Sequence, residues 1–380
     1  MFGATGFTGG LTAHYLAEHA PRGTRWAIAG RSASKLEALA RALEDKSCPP
    51  QARLSADVAH EASLRAMAEQ ARVVLTTVGP FDDYGEPLVR ACVEAGTDYA
   101  DITGEPRFVD RMIARYDDEA RQEGLRIVSC CGFDSIPHDL GVLFTVDHLP
   151  KGTPITIEGF VRSRGTFSGG TWHSAVRAMG RLREHLRERR QRARRPATND
   201  RKVHGMRPSV RYEPALECWV CPLPTIDPEV VLRSARMMDN YGPDFRYGHY
   251  ARVKKTTTLA AGALAVSGVV LLAQIPATRA LLLKVKDQGD GPSAEERARG
   301  WFTVTFLAKA GSTELRTEVR GGDPGYSETA KMLAESGLCL ALDRDRLPPH
   351  TGVITPAAAM GHALIDRLQR AGITFSILED

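Results

Sequence analysis

The sequence lacks several features that would settle its class at once. Its seven cysteines are odd in number and scattered, which argues against a disulfide framework and suits reduced thiols in a cytoplasm. Cys218-Trp219-Val220-Cys221 is a lone C-x-x-C without a second pair of ligands at matching spacing, so no metal is assigned. The net charge is only +4, which leaves no global nucleic-acid signature. There is no internal repeat. No export signal is visible, because a glycine-rich loop occupies the start of the chain. At 380 residues the chain exceeds the size at which single cores stop growing, and two domains are expected.

What is present begins with Gly3-Ala4-Thr5-Gly6-Phe7-Thr8-Gly9, a G-x-x-G-x-x-G loop. Such a loop lets the backbone approach a dinucleotide pyrophosphate, and the helix after it aims free N–H groups at the phosphates. The spacing of Leu11, Tyr15 and Leu16 predicts that helix over about 10–19. The strand expected before the loop is reduced to Met1 and Phe2, so a truncated first strand is predicted, with a natural start upstream.

The following segments alternate strand and helix. Strands are expected at Arg25–Ala29, Val73–Val78, Tyr99–Ile102 and Arg126–Cys130. Helices are expected at Ser34–Leu43 and from Glu86-Pro87, where Pro suits a first turn. The pattern implies a parallel sheet with crossover helices, a Rossmann dinucleotide-binding domain over 1–135. The second strand ends in Arg31, where NAD-binding domains place an acid on the ribose 2′-hydroxyl. Arg31, with Ser32 and Lys35, suits a 2′-phosphate, so the expected cofactor is NADP(H). Asp57, Val78, Gly79, Pro80 and Thr103 complete the predicted cofactor set.

Residues 136–350 are expected to form a second α+β domain on an open sheet, with strands at Pro154–Val161, Trp301–Leu307 and Thr313–Val319. Helices are expected at about 172–193 and 325–339. Residues 351–380, with a helix at about 356–371, are expected to return to the first domain. Arg181–Arg195 carries eight arginines against two glutamates. It reads either as a solvated helix face or as an attractor for an acidic protein partner or an anionic membrane. Thr256–Thr278 has no charge and basic flanks. It reads as a buried hairpin, a shallow lipid-contacting segment or a span, and its length, its glycines and Pro276 disfavour the span.

Whole blocks of this sequence resemble a known family. GATGFTGGLTAHYLA, AGRSASKL, TVGPFDDYGEPLVRACVEAGTDYADITGE and CGFDSIPHDLG resemble the NADP-binding domain of saccharopine dehydrogenase-like oxidoreductases. With GTFSGGT, GWFTVTF, GGDPGYSETAKMLAESGLCLA and TPAAAMGHALIDRL they look most like its trans-acting enoyl reductases. The resemblance implies an NADPH-dependent reductase acting beside a polyketide synthase, on an unsaturated acyl thioester bound for a lipid. On this reading the arginine run 181–195 meets an acidic acyl carrier protein, while the reduced thiols read as cytoplasmic and the basic-flanked segment 256–278 as peripheral contact at the inner face of the plasma membrane. Such a reduction needs a hydride at the β carbon, a donor toward the thioester oxygen and a proton for the α carbon. Ligands of open α/β sheets sit at the carboxyl ends of strands. Tyr84 or His138 is expected to donate the proton, and Ser135 or backbone N–H groups to hold the oxygen. Phe81, Asp134, Ser168, Gly169 and Gly170 are expected to face the substrate. Helix capping is the rival role for Asp134 and Ser135, and a helix-terminal residue satisfied by the backbone is the rival for His138. Cys130-Cys131 reads as a sensitive thiol or as buried packing. Two other functions remain open: a saccharopine-type imine or amine oxidoreductase, for which no clamp on two carboxylates is evident, and a membrane-associated binding protein without catalysis.

Overall fold

A computed structural model describes residues 1–165, 176, 201–254, 268–284 and 291–379 of the chain. Ser168, Gly169, Gly170, the arginine-rich run 181–195 and most of the expected helix at 172–193 lie outside the described residues.

The first sheet is parallel. Its strands are β1 (Ala27–Gly30), β2 (Ala52–Ser55), β3 (Val73–Thr76), β4 (Asp98–Asp101), β5 (Arg126–Val128) and β13 (Gly352–Ile354). β1 pairs β2, and β3, β4, β5 and β13 pair in that order. The gap between the two groups is filled by the start of the chain. The Met1 amine donates to Ala27 O at 2.7 Å, and Ala29 N donates back to Met1 O at 2.8 Å. On the other side Phe2 N donates to Leu75 O at 2.8 Å. Phe2 thus bridges Ala29 and Thr76, both in parallel sense, and links the two groups of strands.

Helices alternate with these strands: α1 (Phe7–His19), α2 (Ala33–Leu43), α3 (Glu61–Ala68), α4 (Phe81–Tyr84), α5 (Glu86–Ala95) and α6 (Pro106–Gln122). The period-2 alternation of a strand decides which residue serves which face. Val74, Tyr99 and Ile127 pack into one core with Leu88 and Phe108, while Leu75, Ala100 and Val128 pack into another.

The second sheet is mixed. Its order is β14 (Thr374–Ile377), β12 (Thr313–Gly321), β11 (Trp301–Ala310), β6 (Ile155–Arg164), β10 (Asp244–Val253), β9 (Cys218–Pro222) and β8 (Arg211–Glu213), with β7 (Lys202–Gly205) beside the first half of β10. β6 and β10 are parallel, and the other neighbours along this order are antiparallel. One face is covered by α7 (Ile136–Asp147) and α8 (Asp227–Met237).

Of the later helices, α9 (Pro276–Leu283) and α10 (Ala294–Ala298) are short. α11 (Ser327–Leu342) lies against α1, β3 and β4, and α12 (Pro356–Arg370) against α7, α11 and β5. One core therefore runs from Leu75, Ala100 and Val128 through Met332, Leu333 and Leu364 to Ile157, Val304 and Phe306 of the second sheet. Asp139 on α7 helps to fix this arrangement, accepting the backbone N–H of Ala357 on α12 at 2.8 Å.

Of the apolar stretch 256–278, residues 268–274 are helical and α9 follows. Ala273 is buried, but Leu271, Leu272, Ile275 and Leu281 are exposed. Among the described residues no helix is long and apolar enough to cross a membrane.

Candidate active site

The glycine loop turns where it must. Gly3 has φ +78°, and a Cβ there would stand 2.7 Å from Val78 Cγ2. A Cβ on Gly9 would fall on the carbonyl of Gly3 and 2.9 Å from Thr77 Oγ1. Gly6 differs from both. It is exposed, and a Cβ there would meet only Gly3 O, at 3.4 Å. Among the described residues, the space beside Gly6 is therefore clear. Gly6 is the N-cap residue of α1, no side chain caps it, and the first turn holds no acid. Among the described residues no side chain takes up the N–H groups of that turn, which stand at the positive end of the helix and suit an anion. These features fit a dinucleotide pyrophosphate, with Gly3, Ala4, Thr5, Gly6, Thr8 and Gly9 forming its cradle.

Phe7 departs from that role. Its ring meets Tyr326 edge-on at 4.9 Å, with the Arg297 guanidinium 5.5 Å above it. It ties the loop to the later half of the chain rather than to a phosphate.

The crease at the carboxyl ends of the strands collects the remaining expected residues. Arg31 follows β1, is exposed, and has no charged partner among the described residues. Ser32 caps α2 by accepting Lys35 N at 3.4 Å, which turns the Lys35 backbone toward the same corner. Asp57 follows β2 and closes a turn by accepting Ala59 N at 3.0 Å. Val78 packs on Gly3, ahead of Gly79 and Pro80.

Asp101, at the end of β4, organises the far side. Its Oδ1 accepts Thr103 N at 2.9 Å and Cys130 N at 3.1 Å. Its Oδ2 accepts the Tyr99 hydroxyl at 2.9 Å and the Ser129 hydroxyl at 3.0 Å. Burial pushes the Asp101 carboxyl up to about 6, against the pull of these four donors. Thr103 is placed by this network and in turn accepts Glu105 N at 3.1 Å. Glu105 then accepts Phe81 N and Asp82 N, fixing the start of α4.

Several expected site residues have other roles. The Phe81 ring is buried against Phe108 at 5.7 Å between centroids, which moves it out of the substrate set. Ser135 is fully buried and its hydroxyl donates to the Asp134 carbonyl at 2.6 Å, so it does not face an oxyanion. Cys130 and Cys131 are buried, and burial raises both thiols, which makes them packing groups rather than sensitive thiols. His138 is buried beside Asp227, with its Nδ1 2.8 Å from Asp227 Oδ1. It does not open into the crease.

Two of the expected residues are exposed. Tyr84 is 46% exposed at the end of α4. Asp134 reaches solvent after β5, with Oδ2 2.9 Å from where a Cβ on Gly104 would stand. Sequence reasoning missed Asp227 and His249, which meet His138 from distant parts of the chain. Burial pushes His249 down to about 4.

The outer face of the second sheet carries a groove lined by Arg162, Arg252, Arg320, Trp301, Thr303 and Glu318. It lies opposite α7, because Trp301 and Thr303 alternate with Phe302 and Val304 of the core. The Arg162 guanidinium sits 5.0 Å over the Trp301 ring.

Residues 1–128 match the saccharopine dehydrogenase NADP-binding domain. Over 98% of its length the chain is 40% identical to a Mycobacterium tuberculosis protein described as a candidate trans-acting enoyl reductase, covering 96% of that relative. It is 36% identical to a trans-acting enoyl reductase of Mycobacterium ulcerans, over 99% of this chain and 96% of the relative. Its fold is similar to that of apo saccharopine dehydrogenase (L-Glu forming) from Saccharomyces cerevisiae. The TM-score is 0.55 at 13% identity, covering 100% of this chain and 99% of that one.

Proposed function

The chain belongs to the trans-acting enoyl reductase family, and on that premise we propose that it reduces an α,β-unsaturated acyl thioester in polyketide or complex-lipid synthesis. It is an NADP-dependent oxidoreductase, and NADPH, when bound, supplies the hydride for the β carbon. The observation that carries the reading is the space that the described residues leave at Gly6, beside an uncapped helix start, in a chain alike to these reductases over nearly its whole length.

The residues divide the work as follows. The loop from Gly3 to Gly9 binds the pyrophosphate, and Arg31 binds the 2′-phosphate as a charge-assisted donor. The Asp101 network holds Thr103 and the Cys130 turn rigid at the nicotinamide end, which keeps the reacting faces aligned. Tyr84 supplies the α-carbon proton: its phenol is accessible and has no partner among the described residues. Asp134 lines the polar side of the acyl crease.

The thioester is delivered on an acidic acyl carrier protein. The Arg162–Arg252–Arg320 groove and the arginine run 181–195 supply the complementary charge, which acts mainly on encounter rate. The exposed Leu271, Leu272, Ile275 and Leu281, near Arg279 and Lys284, rest on an anionic membrane surface where a lipidic product leaves. The test is NADPH oxidation with a trans-2-enoyl thioester, followed by mass analysis of the acyl chain. Gain of two hydrogens supports the reading. Oxidation only with an imine substrate, or none with either, overturns it.

A further inference from the structure

Outside the cofactor crease, three buried side chains from three elements converge. His138 comes from the first turn of α7, Asp227 from the first position of α8, and His249 from the middle of β10. His138 Nδ1 is 2.8 Å from Asp227 Oδ1, and His249 Nε2 is 3.6 Å from Asp227 Oδ2. One nitrogen from each imidazole and a carboxylate oxygen all lie within 4.8 Å of one another. None of the three side chains is more than 3% exposed.

The hydrogen bonds around them leave this cluster incomplete. Among the described residues His138 Nε2 has no partner, and the approach of His138 Nδ1 to Asp227 Oδ1 is near enough for an ion pair but out of line for a hydrogen bond. Buried polar groups without partners are costly, so a native structure that keeps several in one place calls for something that satisfies them. Two imidazoles and one carboxylate are a recurrent donor set for zinc. With bonds of about 2.0–2.1 Å, a tetrahedral ion spaces its ligands about 3.3 Å apart, within the range of separations here.

We propose that His138, Asp227 and His249 bind a divalent transition metal ion, zinc, leaving a fourth position open. An outer partner is already in place. The Tyr247 hydroxyl lies 3.3 Å from His249 Nδ1. Such a partner fixes the ring orientation of a metal ligand. Imidazole with carboxylate favours zinc over copper(I), which wants thiolates, and over calcium, which wants oxygens alone. The ion would fasten α7, α8 and β10 to each other at the junction between the two sheets. The rival thiol pair, Cys218 and Cys221, lies on β9 and includes none of these residues.

The experiment measures metal in the purified full chain, then titrates cobalt(II) into chelator-treated protein. The expected result is zinc near one equivalent and a tetrahedral cobalt spectrum without a thiolate charge-transfer band. His249→Ala should abolish the spectrum and the rise in thermal midpoint on adding zinc, while Cys218→Ser/Cys221→Ser keeps both. Tyr247→Phe should weaken zinc by about 10–100-fold. If His249→Ala does not fold, the wild-type spectrum and the cysteine variant decide. No cobalt spectrum, a thiolate band lost in the cysteine variant, or equal zinc stabilisation of a folded His249→Ala overturns the site.

Discussion

The carbonyl of Gly3 occupies the space that a side chain on Gly9 would need. Gly6, between them in sequence, has no such neighbour. Gly9→Ala should therefore lower both the thermal midpoint and NADPH affinity, because the loop itself must shift. Gly6→Val should leave the midpoint unchanged and abolish cofactor binding, because its branches enter the space left for the pyrophosphate. Calorimetry with thermal melts separates the two, and unchanged affinity in Gly6→Val would make the loop a plain turn.

Arg31→Ala should cost NADPH binding about 1.5–3 kcal/mol, roughly 10–150-fold, the scale of a lost charge-assisted hydrogen bond. NADH affinity should stay within about twofold. Paired titrations of both cofactors check this, and an equal loss for both would remove Arg31 from the 2′-phosphate.

Tyr84→Phe should lower kcat by about 10²–10⁴-fold, the range of general acid catalysis, with NADPH affinity retained. Phe keeps the ring and deletes only the proton donor. Steady-state kinetics beside a binding titration give the answer, and an unchanged kcat would move the proton to another group.

Asp101 makes stability depend on pH in a stated direction. Its carboxyl is raised from the ordinary 3.8 to about 6 by burial. Below pH 4 both folded and unfolded chains hold the proton. As pH climbs from about 4 to 6 the unfolded chain releases it first, so this group's stability is lost over that window and constant above it. The loss is on the order of 3 kcal/mol. Asp101→Asn should remove the step: the amide oxygen still accepts from Thr103 and Cys130, and the Tyr99 and Ser129 hydroxyls can turn to accept from the NH₂. Denaturant melts of both proteins from pH 4 to 8 isolate the difference, and parallel curves would show that Asp101 stays ionised throughout.

Replacing Leu271, Leu272, Ile275 and Leu281 with Ser should release the protein from anionic vesicles without lowering its thermal midpoint, since all four are exposed. Vesicle flotation at low and high salt measures it. Flotation equal to wild type would mean that these side chains touch no lipid.

The Rossmann half was legible because its signals are local. Glycine spacing marked the phosphate loop, and apolar runs closed by Gly30 or Gly79-Pro80 marked strands to within a few residues. Gly352–Ile354 was not legible, since three residues carry no periodicity and its strand exists only through pairing with β5. The strands from Lys202 to Pro222 are short and partly exposed, and lack a clean alternation. Side-chain direction was the other blind spot. Phe81 and Ser135 sit at the right strand ends, yet the ring turns to Phe108 and the hydroxyl to its own chain. Asp227 and His249 had no signal, because nothing near either residue announces His138.

The core shared by the two sheets also sets an order of events during synthesis. The nucleotide-binding sheet takes its last strand from 352–354 and is roofed by 327–342 and 356–370. A nascent chain that has emerged only as far as residue 135 would expose Leu75, Ala100 and Val128 with nothing to cover them. The half that is made first is thus finished last. Until then Leu75, Ala100 and Val128 lack their cover, and NADPH binding can stabilise the fold only once the far end of the chain has arrived.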